Sequence, residues 1–115
     1  MIISKNNKMA KKSHPRTGGP VEKALNGVCL ASAHIMSEGK KVGFMYREEP
    51  EEDLDSGWRF LSGEEDDAYL DNDDNYGVFD VDAVVKVDAL VRNYIHLPIG
   101  TELERDGGKF IPIIE

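Results

Sequence analysis

Asp71, Asp73 and Asn75 place oxygen-bearing side chains at alternate positions, the spacing with which a calcium-binding loop begins. Such a loop also needs glycine at its sixth position and a bidentate glutamate at its twelfth. Those positions here are Tyr76 and Asp82, and tyrosine does not easily adopt the sharp turn that glycine permits. The match is therefore incomplete, and the sequence predicts an Asn/Asp-rich turn without a metal site.

Cys29 is the one cysteine of the chain, so it could serve as a nucleophile with His34 as its base. Its neighbours Val28 and Leu30 are apolar, which favours a buried thiol that packs as a small hydrophobic side chain. A single cysteine also excludes an internal disulfide, and a reducing compartment is acceptable for such a chain.

The sequence contains no C-x-x-C, H-E-x-x-H or G-x-S-x-G motif and no phosphate-binding glycine loop. Paired carboxylates can do acid/base catalysis when a cleft separates their pKa values. The runs Glu48-Glu49 and 51–53 instead look like exposed loops. We therefore predict that the protein is not an enzyme and needs no cofactor, with an enzyme acting on a small molecule as a distant third interpretation.

The segment 48–74 concentrates negative charge, with thirteen acidic residues and only Arg59 to offset them. A crowded acidic surface costs stability through self-repulsion but steers a positively charged partner, and aromatic anchors prolong the complex. The alternative is a merely solvated acidic face. The predicted partner-binding residues are Glu51, Glu52, Asp53, Asp66, Asp67, Tyr69, Asp73 and Asp74.

The whole chain of 115 residues carries a net charge of −8, which is unevenly distributed. The first 26 residues hold six of the 14 Lys and Arg residues and one of the 22 acids, so the remainder has a net charge of −13. A body this negative repels phosphates and anionic lipids, which disfavours nucleic acid and membranes as partners. Residues 1–20 are predicted to be a disordered basic tail, and 21–115 a single domain.

The chain has no apolar run long enough for a signal peptide and none near the ~18 residues of a membrane helix. These absences predict a cytoplasmic protein.

The apolar and alternating runs predict the elements that position these residues. Residues 27–32 are predicted to form a buried strand, and 41–47 a strand with Val42, Phe44 and Tyr46 on one face. Residues 57–61 are predicted to form a strand on which Trp58 and Phe60 share a face. Trp58 and Tyr69 are candidate anchors for a partner, and for Trp58 we favour the alternative of a place in the core.

Helix signals follow Ser32 and Ser62. Ser32 can cap a short helix that ends at Gly39, and Ser62 with Glu65 forms a capping box that predicts a helix through Leu70. Residues 81–87 fit either a helix or a β-branched strand, and we predict a helix.

Residues 78–79 are predicted to form a brief strand, and 88–95 a short helix or turn. Two strand-like runs joined by Asp106-Gly107-Gly108 predict a C-terminal β-hairpin. The fold class is therefore α+β, with a small, mainly antiparallel sheet and two or three short helices.

Four stretches, "GVCLASAHI", "KKVGFMYREEP", "DSGWRFLSGEEDDAYLDN" and "LPIGTELERDGGKF", resemble the immunity protein 33-like domain family of bacterial polymorphic toxin systems, formerly a domain of unknown function. The likeness covers residues 27–113, and "SGWRFLSGEEDDAYL" is its most specific part. It excludes the basic tail.

The resemblance implies a cytoplasmic protein that binds and neutralises a cognate toxin by occlusion, without catalysis. A toxin that cuts nucleic acid has a basic cleft, so a nuclease is one candidate partner for an acidic inhibitor. The runner-up is an acidic adaptor or regulatory domain with no toxin partner.

Overall fold

The structure is a computed structural model that describes residues 26–113. Over that range six strands form one sheet, together with three α-helices and two short 3₁₀ helices. The strands are β1 (Val28–Ser32), β2 (Phe44–Arg47), β3 (Asp55–Leu61), β4 (Tyr76–Asp80), β5 (Glu102–Asp106) and β6 (Lys109–Pro112). The α-helices are α1 (Ala33–Met36), α2 (Asp67–Asp71) and α3 (Val81–Val87), and the 3₁₀ helices are Asp73–Asn75 and Ala89–Asn93. The predicted tail, 1–20, and its boundary with the domain lie outside the described residues.

The strands lie in the order β4-β1-β3-β2-β5-β6. Among these six strands β1 and β3 are parallel to each other, and every other neighbouring pair is antiparallel. The C-terminal hairpin β5–β6 turns at Gly107, which has φ +65°, and Gly108. The predicted α+β fold, with a mainly antiparallel sheet and this hairpin, is confirmed.

One face of the sheet, called the helix face here, packs against α1, α3 and the 3₁₀ helix 89–93. Trp58 and Phe60 lie on this face as predicted, with ring centroids 5.9 Å apart and at most 1% exposure. The Trp58 indole donates a hydrogen bond to the Ile95 carbonyl, 2.9 Å away, so its polar atom is satisfied inside the core. The predicted helix 81–87 is confirmed, and it buries Val81, Val84 and Val85 here.

The opposite face, called the second face, buries a separate apolar cluster. Its strand residues alternate with those of the helix face, as the period of two requires. The cluster contains Val28, Leu30, Phe44, Tyr46, Leu61, Leu70, Tyr76 and Val78. Leu70 belongs to α2, so this helix packs on the second face.

The prediction that Val42 shares a face with Phe44 and Tyr46 is wrong. β2 begins only at Phe44, and Val42 packs in the cluster of the helix face. The Val42 amide donates to the Asp88 carboxylate, 3.0 Å away, instead of to a strand neighbour. The alternation of faces therefore does not extend back to Val42.

Candidate functional site

The eight predicted partner-binding residues lie in two groups, one in a loop and one around a helix. The loop cluster is Glu51, Glu52 and Asp53, between β2 and β3, and the helix cluster is Asp66, Asp67, Tyr69, Asp73 and Asp74. All seven carboxylate side chains are exposed, and Tyr69 is half-buried.

The two clusters flank opposite ends of β3. The loop cluster precedes Asp55, the helix cluster follows Leu61, and at ~3.3 Å per residue these strand ends lie about 20 Å apart. Both clusters nevertheless border the second face. Glu51 and Glu52 line a small cavity against it, and Leu70 joins its apolar cluster.

Arg59 holds both ends of the acidic loop. Its guanidinium donates to Glu48, 2.6 Å away, and in a bidentate manner to Asp55, with both distances 2.9 Å. Arg59 is only 1% exposed, so these contacts neutralise a buried charge. The Asp55 carboxylate also accepts the backbone amides of Glu51 and Gly57.

The hydrogen bonds in this network favour the ionised forms of Asp55 and Arg59. Burial raises the pKa of Asp55, but the hydrogen bonds from Arg59 and from the two amides outweigh burial, so the pKa lies below its usual value. Burial likewise opposes the charge on Arg59, and the bonds to Asp55 and Glu48 raise its pKa in spite of burial. The loop is therefore fixed by an ion network that persists at neutral pH.

The predicted start of the second helix is wrong. The helix α2 begins at Asp67, and Asp66, not Ser62, is its N-cap and accepts the Tyr69 amide at 2.8 Å. The Ser62 hydroxyl accepts the Glu64 amide instead, 3.2 Å away, and so forms a turn.

Glu65 does reach back to Ser62, as a capping box predicts, but its carboxylate is part of a buried hydrogen-bond network. It accepts the Ser62 amide at 2.8 Å, the Gly63 amide at 3.0 Å and the Ser32 hydroxyl at 2.5 Å. Glu65 is only 2% exposed. Burial raises its pKa, yet the hydrogen bonds, led by Ser32, lower it below the usual value.

Four of the thirteen acids in 48–74 form an ion pair or are buried. Glu48 and Asp55 pair with Arg59, Glu65 is buried, and Glu64 lies 2.8 Å from Lys40, which precedes this acidic segment. The other nine carboxylates are exposed: Glu49, Glu51, Glu52, Asp53, Asp66, Asp67, Asp71, Asp73 and Asp74.

The structure brings His34 to the helix cluster, which the sequence did not predict. Its ring lies 4.4 Å from the Tyr69 ring, measured between centroids, and its Nδ1 lies 3.0 Å from the Ser62 hydroxyl. Cys29, by contrast, is 1% exposed, and burial raises the pKa of its thiol. A protonated, buried thiol is a poor nucleophile.

The candidate metal residues form a capped turn. Asn72 accepts the Asp74 amide, Asn75 donates to the Tyr69 carbonyl, and the Tyr76 hydroxyl donates to Asp73 at 3.1 Å. Burial and Asp73 raise the pKa of Tyr76 to about 12. Between residues 26 and 113 no group of three or more His, Cys, Asp and Glu side chains is placed to hold a metal ion.

The concavities at the acidic loop and beside the C-terminal hairpin differ in size. The cavity between the acidic loop and the second face has a volume of about 30 Å³, room for one water molecule, and Arg59 and Asp55 line it. An open groove of about 440 Å³ lies between Leu97 and Ile113, and among the described residues that line it Glu102 is the one with an ionisable side chain. Cys29 also lines the cavity at the acidic loop, but burial raises the pKa of its thiol, which makes it a poor nucleophile.

No helix within 26–113 has the length and apolar character needed to cross a membrane. No curated protein and no solved structure matches the chain. The sequence does match the family described as Immunity protein Imm33 domain, over residues 29–113. This match covers most of the chain and all three α-helices, and it includes both acidic clusters. The chain belongs to the Imm33 immunity protein family.

Proposed function

We propose that this protein binds a cognate toxin domain in the cytoplasm and neutralises it by occlusion, without catalysis. The family match carries the proposal, because immunity proteins protect a cell by neutralising a toxin. The nine exposed carboxylates supply the means of recognition, since they favour a partner with a basic surface.

The placement of the clusters sets a requirement on the partner. Two acidic groups at opposite ends of a strand about 20 Å long, both bordering the second face, match basic residues distributed along a cleft better than one basic spot. A nuclease has such a cleft because it binds a phosphate backbone, and an acidic protein in that cleft would exclude the substrate. A nuclease toxin is therefore the candidate partner that we favour.

Charge reversal of each cluster separately tests this proposal. The variants are Glu51→Lys with Asp53→Lys in the loop, and Asp67→Lys with Asp74→Lys around the helix, which leave the Asp66 cap intact. The matched control reverses Asp80 and Asp106, two exposed acids outside both clusters, and changes the net charge by the same amount.

The measurement is the association rate with a basic toxin domain encoded beside this gene, together with rescue of growth on co-expression. We expect each cluster variant to lower the rate by about tenfold at low salt, and the control to change it by less than about twofold. Equal losses in control and cluster variants would mean that net charge alone matters. If the wild-type chain bound no neighbouring toxin domain, the adaptor function would replace this proposal.

A further inference from the structure

His34 and Tyr69 form an aromatic pair at the edge of the helix cluster. Their ring planes are inclined at 33°, and both side chains keep some exposure, 15% in the case of His34. Tyr69 packs on the apolar cluster of the second face. The pair therefore packs against the core on one side and keeps some surface open to solvent.

A buried carboxylate orients the imidazole. Nδ1 of His34 lies 3.0 Å from the Ser62 hydroxyl and 3.3 Å from Oε2 of Glu65, whose side chain has no exposed surface. An ionised carboxylate only accepts hydrogen bonds and the Ser62 hydroxyl donates to it at 3.0 Å, so the tautomer with its proton on Nδ1 fits these contacts. Nε2 is then an acceptor, and it has no hydrogen-bond partner within the described residues 26–113. In other proteins a carboxylate that accepts a hydrogen bond from one imidazole nitrogen orients histidines that bind metals or substrates.

The potential around the pair is negative. Burial raises the pKa of Tyr69, and the carboxylates of Glu65 and Glu38 raise it further. Lys40 is the cation nearby, and it is engaged by Glu64 at 2.8 Å. A group that docks on the outer side of the pair would therefore be favoured if it were cationic.

We infer that the His34–Tyr69 pair is the docking site for an arginine side chain of the basic partner. A guanidinium can donate an N–H to Nε2 of His34 and place its flat face against the Tyr69 ring, whereas the ammonium of lysine matches only the charge. This inference deepens the proposed function and rests on it for the identity of the partner. In this inference the His34–Tyr69 pair slows dissociation of the complex, and the two acidic clusters speed its association.

A small probe tests the site without the toxin. ¹⁵N-labelled protein is titrated with N-acetylarginine amide, and with N-acetylcitrulline amide, which has nearly the same shape and no charge. We expect saturable shifts of the amides of residues 34 and 69 with the arginine probe only. Equal shifts with both probes, or no saturable shift, would overturn the inference.

Two substitutions separate anchoring from folding. His34→Asn keeps an amide that can donate to Ser62 and Glu65 but lacks the outer nitrogen, and Tyr69→Leu keeps an apolar contact but lacks the ring. Both should abolish the arginine-dependent shifts, while Tyr69→Phe should retain them. Tyr94→Leu is the control, because Tyr94 packs against Phe110 on the helix face. Urea unfolding of each variant checks that the fold persists.

The same variants distinguish this inference from the proposed function. With a cognate toxin domain, His34→Asn and Tyr69→Leu should raise the dissociation rate by about tenfold or more and leave the association rate unchanged. Tight binding of the toxin by wild type and variants alike would refute the anchor and leave the proposed function standing. Binding of the arginine probe without binding of any toxin domain would retain the anchor and reject the toxin.

Discussion

Glu65 is a buried carboxylate whose contacts join three segments of the chain. Ser32 at the end of β1, the turn at Ser62 and Gly63, and His34 in α1 all contact it. The S-x-x-E pattern predicted its bond to the Ser62 amide. It could not predict Ser32, which lies 33 positions away and becomes a neighbour only when the sheet forms.

Replacing Glu65 is expected to destabilise the fold strongly. Glu65→Ala leaves the Ser32 hydroxyl and two backbone amides buried without an acceptor, which should cost about 3 kcal/mol in the free energy of unfolding. Glu65→Gln retains one oxygen and should cost less. Urea unfolding at pH 7 measures both, with exposed Glu49→Ala as the control. A loss for Glu65→Ala no greater than for the control would contradict the buried network.

Stability should fall in acid. Glu65 and Asp55 have pKa values below those of the unfolded chain, so their stabilisation is present above about pH 4 and is lost as the pH falls through the folded-state values. We expect the urea midpoint of the wild type to decrease from about pH 4.5 downward. Glu65→Gln should show a shallower decrease, and an identical slope in both proteins would refute this assignment.

At the scale of elements, apolar runs predict β1 well because both faces of this sheet are buried, so the strand is apolar at nearly every position. The patterns failed where a single glycine changes the backbone path. Gly43 lies so close to the turn after β3 that a Cβ atom there would be 2.1 Å from the Ser62 carbonyl oxygen. This contact between distant segments separates Val42 from β2, and no local pattern reports it.

Gly43→Ala is therefore expected to be among the most disruptive alanine substitutions. The added methyl group meets backbone, which must shift, so we expect a loss of about 2–4 kcal/mol or failure to fold. Gly108→Ala is the matched control, because a methyl group added there would have no neighbouring atom within 4 Å and the φ of Gly108 is not positive. Thermal unfolding compares the two, and equal midpoints would show that β2 and the Ser62 turn are not in such close contact.

At the scale of the whole molecule, the sequence predicted the fold class and the acidic character, but not which acids are exposed. The sequence indicates Arg59 as an offset to surface charge, whereas the structure shows a buried cation that pairs with Glu48 and Asp55. Nor did the sequence indicate that the acids divide between the two ends of β3. Both facts depend on the sheet order, which sequence patterns do not specify.

If the exposed acids steer the partner, the association rate should depend on ionic strength. Raising the salt concentration from about 0.02 M to 0.2 M shortens the screening length severalfold, so we expect the rate to fall by about tenfold, with a smaller change in the dissociation rate. Stopped-flow mixing with the toxin domain measures both rates. A rate that does not respond to salt would argue against steering.

The position of β1 between β3 and β4 has a consequence for the newly made chain. The two strands that pair with β1 begin at Asp55 and Tyr76, so both are synthesised after β1. At ordinary elongation rates the ribosome needs about 2–10 s to extend the chain from Ser32 to Asp80. Until then one edge of β1 has no partner from β4. A cell that makes toxin and protector together would therefore be shielded only after most of the protector has been translated.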